Sequence, residues 1–167
     1  MASVLIVWDG NRGRRERCLA AAGSELRLTG GLEESAVQSG PVAALWYARP
    51  GAPCRAATAS EGEGAGAAVI WGHAFERGAR EPVGGAELLP PVGTEVPPRC
   101  FDGFHAWCAW REGAGLAVGA GPLGLFPLYW IAPKPEVLLI ASHPGVLRAH
   151  PTVSSDLDRR GLAGLLL

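Results

Sequence analysis

Glycine and proline divide this chain into short pieces. With 24 Gly and 14 Pro among 167 residues, there is little room for long helices, and the apolar segments between breakers have the length of strands. Val4–Trp8 is one such run, closed by Asp9-Gly10. Strands are also expected at Val42–Ala48, Ala67–Phe75, Phe104–Arg111, Leu116–Ala120, Leu128–Ala132 and Val137–Ala141, the last four spaced by turns as in a meander. Residues 14–22 have helical composition and stop at Gly23, a glycine placed as a C-terminal cap. Residues 29–41 and 56–66 read as loops, and residues 76–99 as an irregular connection. A helical turn fits Gly145–Ala149, and Ser154-Ser155-Asp156 offers an N-cap for a final apolar helix over Leu157–Leu167. The fold class that follows is α+β, dominated by antiparallel sheets with few helices.

The length suits one domain with a real core. A net charge of −1 argues against nucleic acid or an anionic membrane as partner. The basic run from Arg12 to Arg17 is the local exception, and its plain reading is a solvated loop or helix start. No signal-peptide pattern opens the chain and no apolar run reaches the ~20 residues of a membrane span, so the expected location is the cytoplasm. Four cysteines, Cys18, Cys54, Cys100 and Cys108, form no C-x-x-C pair and no metal-ligand spacing, which makes free thiols the expectation.

Cys100, Asp102, His105 and Cys108 lie close in sequence, but His105 and Cys108 are three apart on a strand and face opposite ways. His105 is therefore expected as a hydrogen-bonded core residue, and His73, His143 and His150 as structural or surface groups. The six tryptophans, Trp8, Trp46, Trp71, Trp107, Trp110 and Trp130, fall on expected strands and are read as packing between two sheets. The Gly-rich pieces at 62–66 and 119–124 lack a following Lys-Ser/Thr, which speaks against a phosphate loop.

Three blocks carry a family likeness. Residues 102–111, DGFHAWCAWR, resemble a Gly-x-Phe-Ala-Phe-Ala-Leu-Trp-Asp strand through Gly103, Ala106 and Trp110. Residues 119–130, GAGPLGLFPLYW, follow Ala-Arg-Asp-x-x-Gly-x-x-Pro-Leu-Tyr-Tyr through Gly124, Pro127, Leu128 and Tyr129. Residues 137–151, VLLIASHPGVLRAHP, match a third block at Ala141, Ser142, Leu147, His150 and Pro151. Together they resemble the N-terminal class II glutamine amidotransferase domain of the asparagine synthetase family. The resemblance implies an N-terminal-nucleophile-like αββα sandwich of two antiparallel sheets. It also implies a division into a glutaminase-like domain over 1–151 and, from 152, a linker helix toward a synthetase domain. That second domain would bind ATP and Mg2+; no SGGxDS-type loop occurs in these residues, so no cofactor is expected in this chain itself.

The resemblance also shows what has been lost. The family uses an N-terminal cysteine whose own α-amine is the base, and here that position holds Ala2. An Asn that stabilises the oxyanion is replaced, in the closest alignment, by Trp71 before Gly72, and the Arg-Asp pair by Ala120-Gly121. No acidic residue in 85–100 clearly matches the one that recognises the glutamine amine. No catalytic residue is therefore assigned, while Gly103, Trp110, Gly124, Pro127, Tyr129 and Ser142 are expected as scaffold. The implied parent is an ATP-dependent amide ligase of the lasso-peptide cyclase or β-lactam synthetase type, acting on a peptide or amino-acid-derived substrate. Its implied partner is a synthetase domain in the same or another chain, and a homodimer is compatible with it. The alternative is a stand-alone binding or assembly module serving a separate synthetase, with the terminal helix as its interface.

Overall fold

The computed structural model describes residues 2–27, 30–59, 64–92, 94 and 99–154. In chain order the elements are β1 (Ser3–Asp9), α1 (Arg12–Leu26), β2 (Glu33–Ser39), β3 (Val42–Ala48), β4 (Cys54–Ala59), β5 (Gly66–Phe75), α2 (Gly85–Leu88), β6 (Asp102–Arg111), β7 (Gly115–Ala120), β8 (Tyr129–Lys134), β9 (Val137–Ala141) and a 3-10 turn at Pro144–Ala149. They form a five-stranded sheet ordered β2-β3-β1-β9-β8 and a four-stranded sheet ordered β4-β5-β6-β7. All neighbouring strands run antiparallel.

The layering follows from strand alternation. On β1, Val4 and Ile6 face the other sheet, joined there by Val42, Ala44 and Trp46 of β3 and by Val69, Trp71, Ala106, Cys108 and Trp110 of the second sheet. Leu5 and Val7, one residue out of phase, pack under Cys18, Ala22 and Leu26 of α1. Behind the second sheet, Ile70, Trp107 and Ala109 lie against Leu88 of α2 and against Val83 and Phe101. Helix, sheet, sheet and helix thus stack in four layers, an α+β sandwich of two antiparallel sheets.

Several local expectations need correction. The stretch 29–41 contains β2, and 56–66 overlaps the end of β4. β2 pairs only with β3 and β4 only with β5, so each is a sheet edge. α2 falls inside the expected irregular 76–99, and β8 runs from Tyr129 to Lys134 rather than over Leu128–Ala132. α1 does not stop at Gly23. It continues to Leu26 and is closed by the Arg27 N–H on the Gly23 carbonyl at 3.2 Å. Gly23 serves packing instead: a Cβ there would sit 3.1 Å from the Tyr47 hydroxyl. The expected helix Leu157–Leu167 lies outside the described residues. Among the described residues no helix is long and apolar enough to cross a membrane.

The tryptophans divide three ways. Trp46, Trp71 and Trp110 fill the space between the sheets, with Trp8 partly buried against them. Trp107 belongs to the outer face beneath α2, and Trp130 on edge strand β8 is 71% exposed. The single reading of all six as inter-sheet packing therefore fails for two of them.

Candidate functional site

Ala2 immediately precedes β1, the central strand of the first sheet. The residue is 8% exposed and belongs to the inter-sheet core together with Trp46 and Trp71. Trp71 is completely buried on β5 and packs edge-to-face on Trp46, with ring centroids 6.0 Å apart. The fold therefore brings Ala2 and Trp71 into one apolar cluster. Across the second sheet Trp71 stands in register between Cys54 and Ala106, and Ala106 pairs with Ala120. The Trp71 Nε1 has no hydrogen-bond partner, an uncommon state for a buried donor.

Burial pushes the Cys18 and Cys108 thiols up to about 12. Cys54, half-buried beside Trp71, is raised by burial as well, opposed by the positive N-terminus. A protonated thiol is a poor nucleophile, so none of these three is activated for nucleophilic attack. Cys108 faces the inter-sheet core and His105 does not, as alternation requires. Among the described residues no group of three or more His, Cys, Asp or Glu side chains could hold a metal ion.

The scaffold positions separate into structural types. Trp110 is buried and lies over the β2–β3 turn, where a Cβ on Gly40 would strike its ring. Gly103 on β6 and Gly72 on β5 have φ of +105° and +95°, and a side chain on either would collide with a carbonyl of the facing strand. Gly124 closes a turn through its N–H to the Gly121 carbonyl at 3.1 Å. Pro127 lies on the exposed stretch leading to Tyr129, which is 45% exposed. Ser142 ties the first strand to the last. Its Oγ accepts the Val4 N–H at 2.9 Å, and its own N–H donates to the Val4 carbonyl at 3.0 Å. Ser142→Ala strands the fully buried Val4 N–H, and we expect a loss of about 1–3 kcal/mol, read as a lower urea midpoint at unchanged slope.

Sequence reasoning missed a second cluster at the far end of β1. Asp9 is fully buried although its register partner is Val137. Arg14 grips it through two hydrogen bonds of 2.8 Å, and the Asn11 N–H donates to it at 2.8 Å. His150 Nε2 lies 3.1 Å from Asp9 Oδ2, while Thr152 Oγ1 is 2.8 Å from His150 Nδ1. Arg15, itself buried, donates to the Asp9 carbonyl at 2.6 Å. The run Arg12–Arg17 is thus a helix start, but not a wholly solvated one. The Arg14 hydrogen bonds bring the Asp9 carboxyl down to about 2. Burial holds His150 below its usual value, opposed by Asp9. A neutral imidazole then donates an Nε2–H hydrogen bond to the Asp9 carboxylate, which pins the 3-10 turn and residues 150–152 onto β1. The legible signal was an ionisable residue ending a buried apolar strand, followed at once by arginines.

Compared with known proteins, the chain matches no protein-family model, no curated protein and no solved structure.

Proposed function

We propose that this domain is a degenerate, non-hydrolytic glutaminase-like scaffold of an asparagine synthetase-like ATP-dependent amide ligase, of the peptide macrolactam (lasso) cyclase or β-lactam synthetase type. The observation that carries this reading is the shared burial of Ala2 and Trp71 between the sheets. A glutaminase needs a thiol with a free amine, an oxyanion donor and open space for the substrate. A methyl group and an indole fill that place here. The αββα layering and the Ser142 tether to β1 agree with retention of the frame after loss of the chemistry. In such a ligase the substrate's own amine attacks the activated carboxylate, so ammonia is not required. ATP and Mg2+ would be bound by the synthetase domain in the same or another chain, and a cytoplasmic setting fits that role.

Glutamate release from glutamine tests the reading directly. The native protein is expected to show none above background, and Ala2→Cys is expected to stay at background because the oxyanion donor is still missing. Rapid release by either protein overturns it. Together with its synthetase domain, ATP, Mg2+ and a linear precursor, the protein is expected to support condensation without stimulation by ammonia.

A second reading, a stand-alone binding or assembly module, is favoured by one observation. Leu123, Leu125, Tyr129 and Trp130 are exposed by 77%, 56%, 45% and 71% within one short stretch, an apolar concentration of the kind found at interfaces.

A further inference from the structure

The start of α1 lies beside a polar cavity of about 410 Å3, within the size range of small-molecule sites. Its walls come from three elements: Arg12 and Arg15 of α1, Gln38 and Ser39 at the end of β2, and Thr58 on β4 of the other sheet. Among the described residues that line it there are two arginines and no carboxylate.

Arg15 is the member that sets the chemistry. It is 6% exposed, and a buried charge ordinarily has an ionic partner. The Asp9 carboxylate is already engaged by Arg14, by the Asn11 N–H and by His150. Arg15 is left with the Asp9 carbonyl, which accepts from its Nη1. Among the described residues Arg15 forms no ion pair, and no hydrogen bond engages its Nε or Nη2. The bond to Asp9 also fixes where the guanidinium sits. The Asp9 N–H donates to the Pro41 carbonyl at 2.9 Å, so the end of β1 that holds Arg15 is joined to the β2–β3 turn, and that turn is the adjoining cavity wall. The Arg15 Nε is sealed from solvent, which makes Nη2 the edge offered to a ligand. Arg12 is 82% exposed and is held by Glu16 at 2.7 Å, a surface pair of small net worth, so its guanidinium is free to turn toward an incoming anion.

We infer that this cavity binds a small phosphate monoester, with Arg15 and Arg12 against the phosphoryl oxygens and Gln38, Ser39 and Thr58 completing the hydrogen bonds. The donors come from α1, β2 and β4 rather than from one plane, which suits a tetrahedral group better than a planar carboxylate. The site lies at the opposite end of β1 from Ala2 and does not rest on the ligase reading.

NMR titration of the isotopically labelled full chain, at constant ionic strength, tests it with glycerol 3-phosphate and acetate as probes. Glycerol 3-phosphate is expected to shift the Ser39, Gly40 and Thr58 amides and the Arg15 Nε–H saturably, and acetate to bind at least about tenfold more weakly. Arg12→Gln should weaken glycerol 3-phosphate about tenfold, the usual consequence of one lost charge-assisted hydrogen bond. Glu16→Gln, which releases Arg12, should tighten it. Arg17→Gln, on the same helix but outside the described lining, should leave it unchanged. The three substituted side chains lie on the exposed face of α1, so the comparison does not depend on replacing the buried Arg15. Equal affinity for the two probes overturns the proposal, as does an absence of saturation. So does an Arg17→Gln effect as large as that of Arg12→Gln, which would mark a diffuse basic face in place of a site.

Discussion

Asp9→Ala is expected to destabilise the chain by about 3–5 kcal/mol, a large part of the 5–15 kcal/mol that typically holds a domain together. The substitution removes the acceptor of both Arg14 hydrogen bonds and of His150 Nε2, leaving partners with their desolvation uncompensated. The pH dependence identifies the cause. Asp9 has its carboxyl lowered from 3.8 to about 2, so its contribution is complete above the ordinary value and is lost as pH falls from 3.8 towards 2. His150 is also held below its ordinary value. Below about 6.5 the unfolded chain therefore takes up a proton that the native state refuses. Both groups make the unfolded state bind more protons, so stability rises with pH in each window. Urea titrations between pH 2 and 7 should show an acid limb in the native protein that Asp9→Ala flattens below pH 4. A parallel limb in the variant would mean that Asp9 is not its source.

Trp71→Ala is the second large effect, at about 3–5 kcal/mol from lost burial and the cavity left behind, with Trp46 deprived of its edge-to-face partner. Trp71→Phe should be far milder. It keeps a ring against Trp46 and removes the Nε1 donor that has no partner, so the gain from deleting an unsatisfied group offsets part of the lost volume. Urea denaturation of the three proteins checks the order native ≥ Phe ≫ Ala. A Phe variant as unstable as the Ala variant would show that the indole nitrogen is contributing after all.

The strands buried on both faces were the plainest in the sequence, while the more exposed β7 and β8 were read from the turns that space them. Val42–Ala48 is buried at every position, and β1 at most, so their apolar runs are continuous. The edge strands β2 and β4 escaped because EESAVQS and CRAATA carry charged and small residues, which is how an exposed edge avoids pairing with other chains. Gly23 misled as a cap because its role is set by Tyr47, a residue of a different element. The Ala2–Trp71 cluster joins the residue before β1 to one on β5, and these meet only when the two sheets face each other, so no local pattern marks it. The Asp9–His150 contact spans 141 residues, and no local pattern encodes a pair so far apart. The cavity at Arg15 draws its walls from α1, β2 and β4, which come together only once the two sheets are stacked.

The first strand of the chain occupies the middle of its sheet, with β9 on one side and β3 on the other. During synthesis β1 can pair with β3 early, but its other edge must wait for Val137–Ala141 to leave the ribosome. Until then a row of peptide groups on a largely buried apolar strand stays open, the condition under which nascent β-proteins aggregate. Closing that gap is a long-range event, which places this domain among slow folders. Ser142 and His150, which grip opposite ends of β1, belong to the segment whose arrival completes the fold.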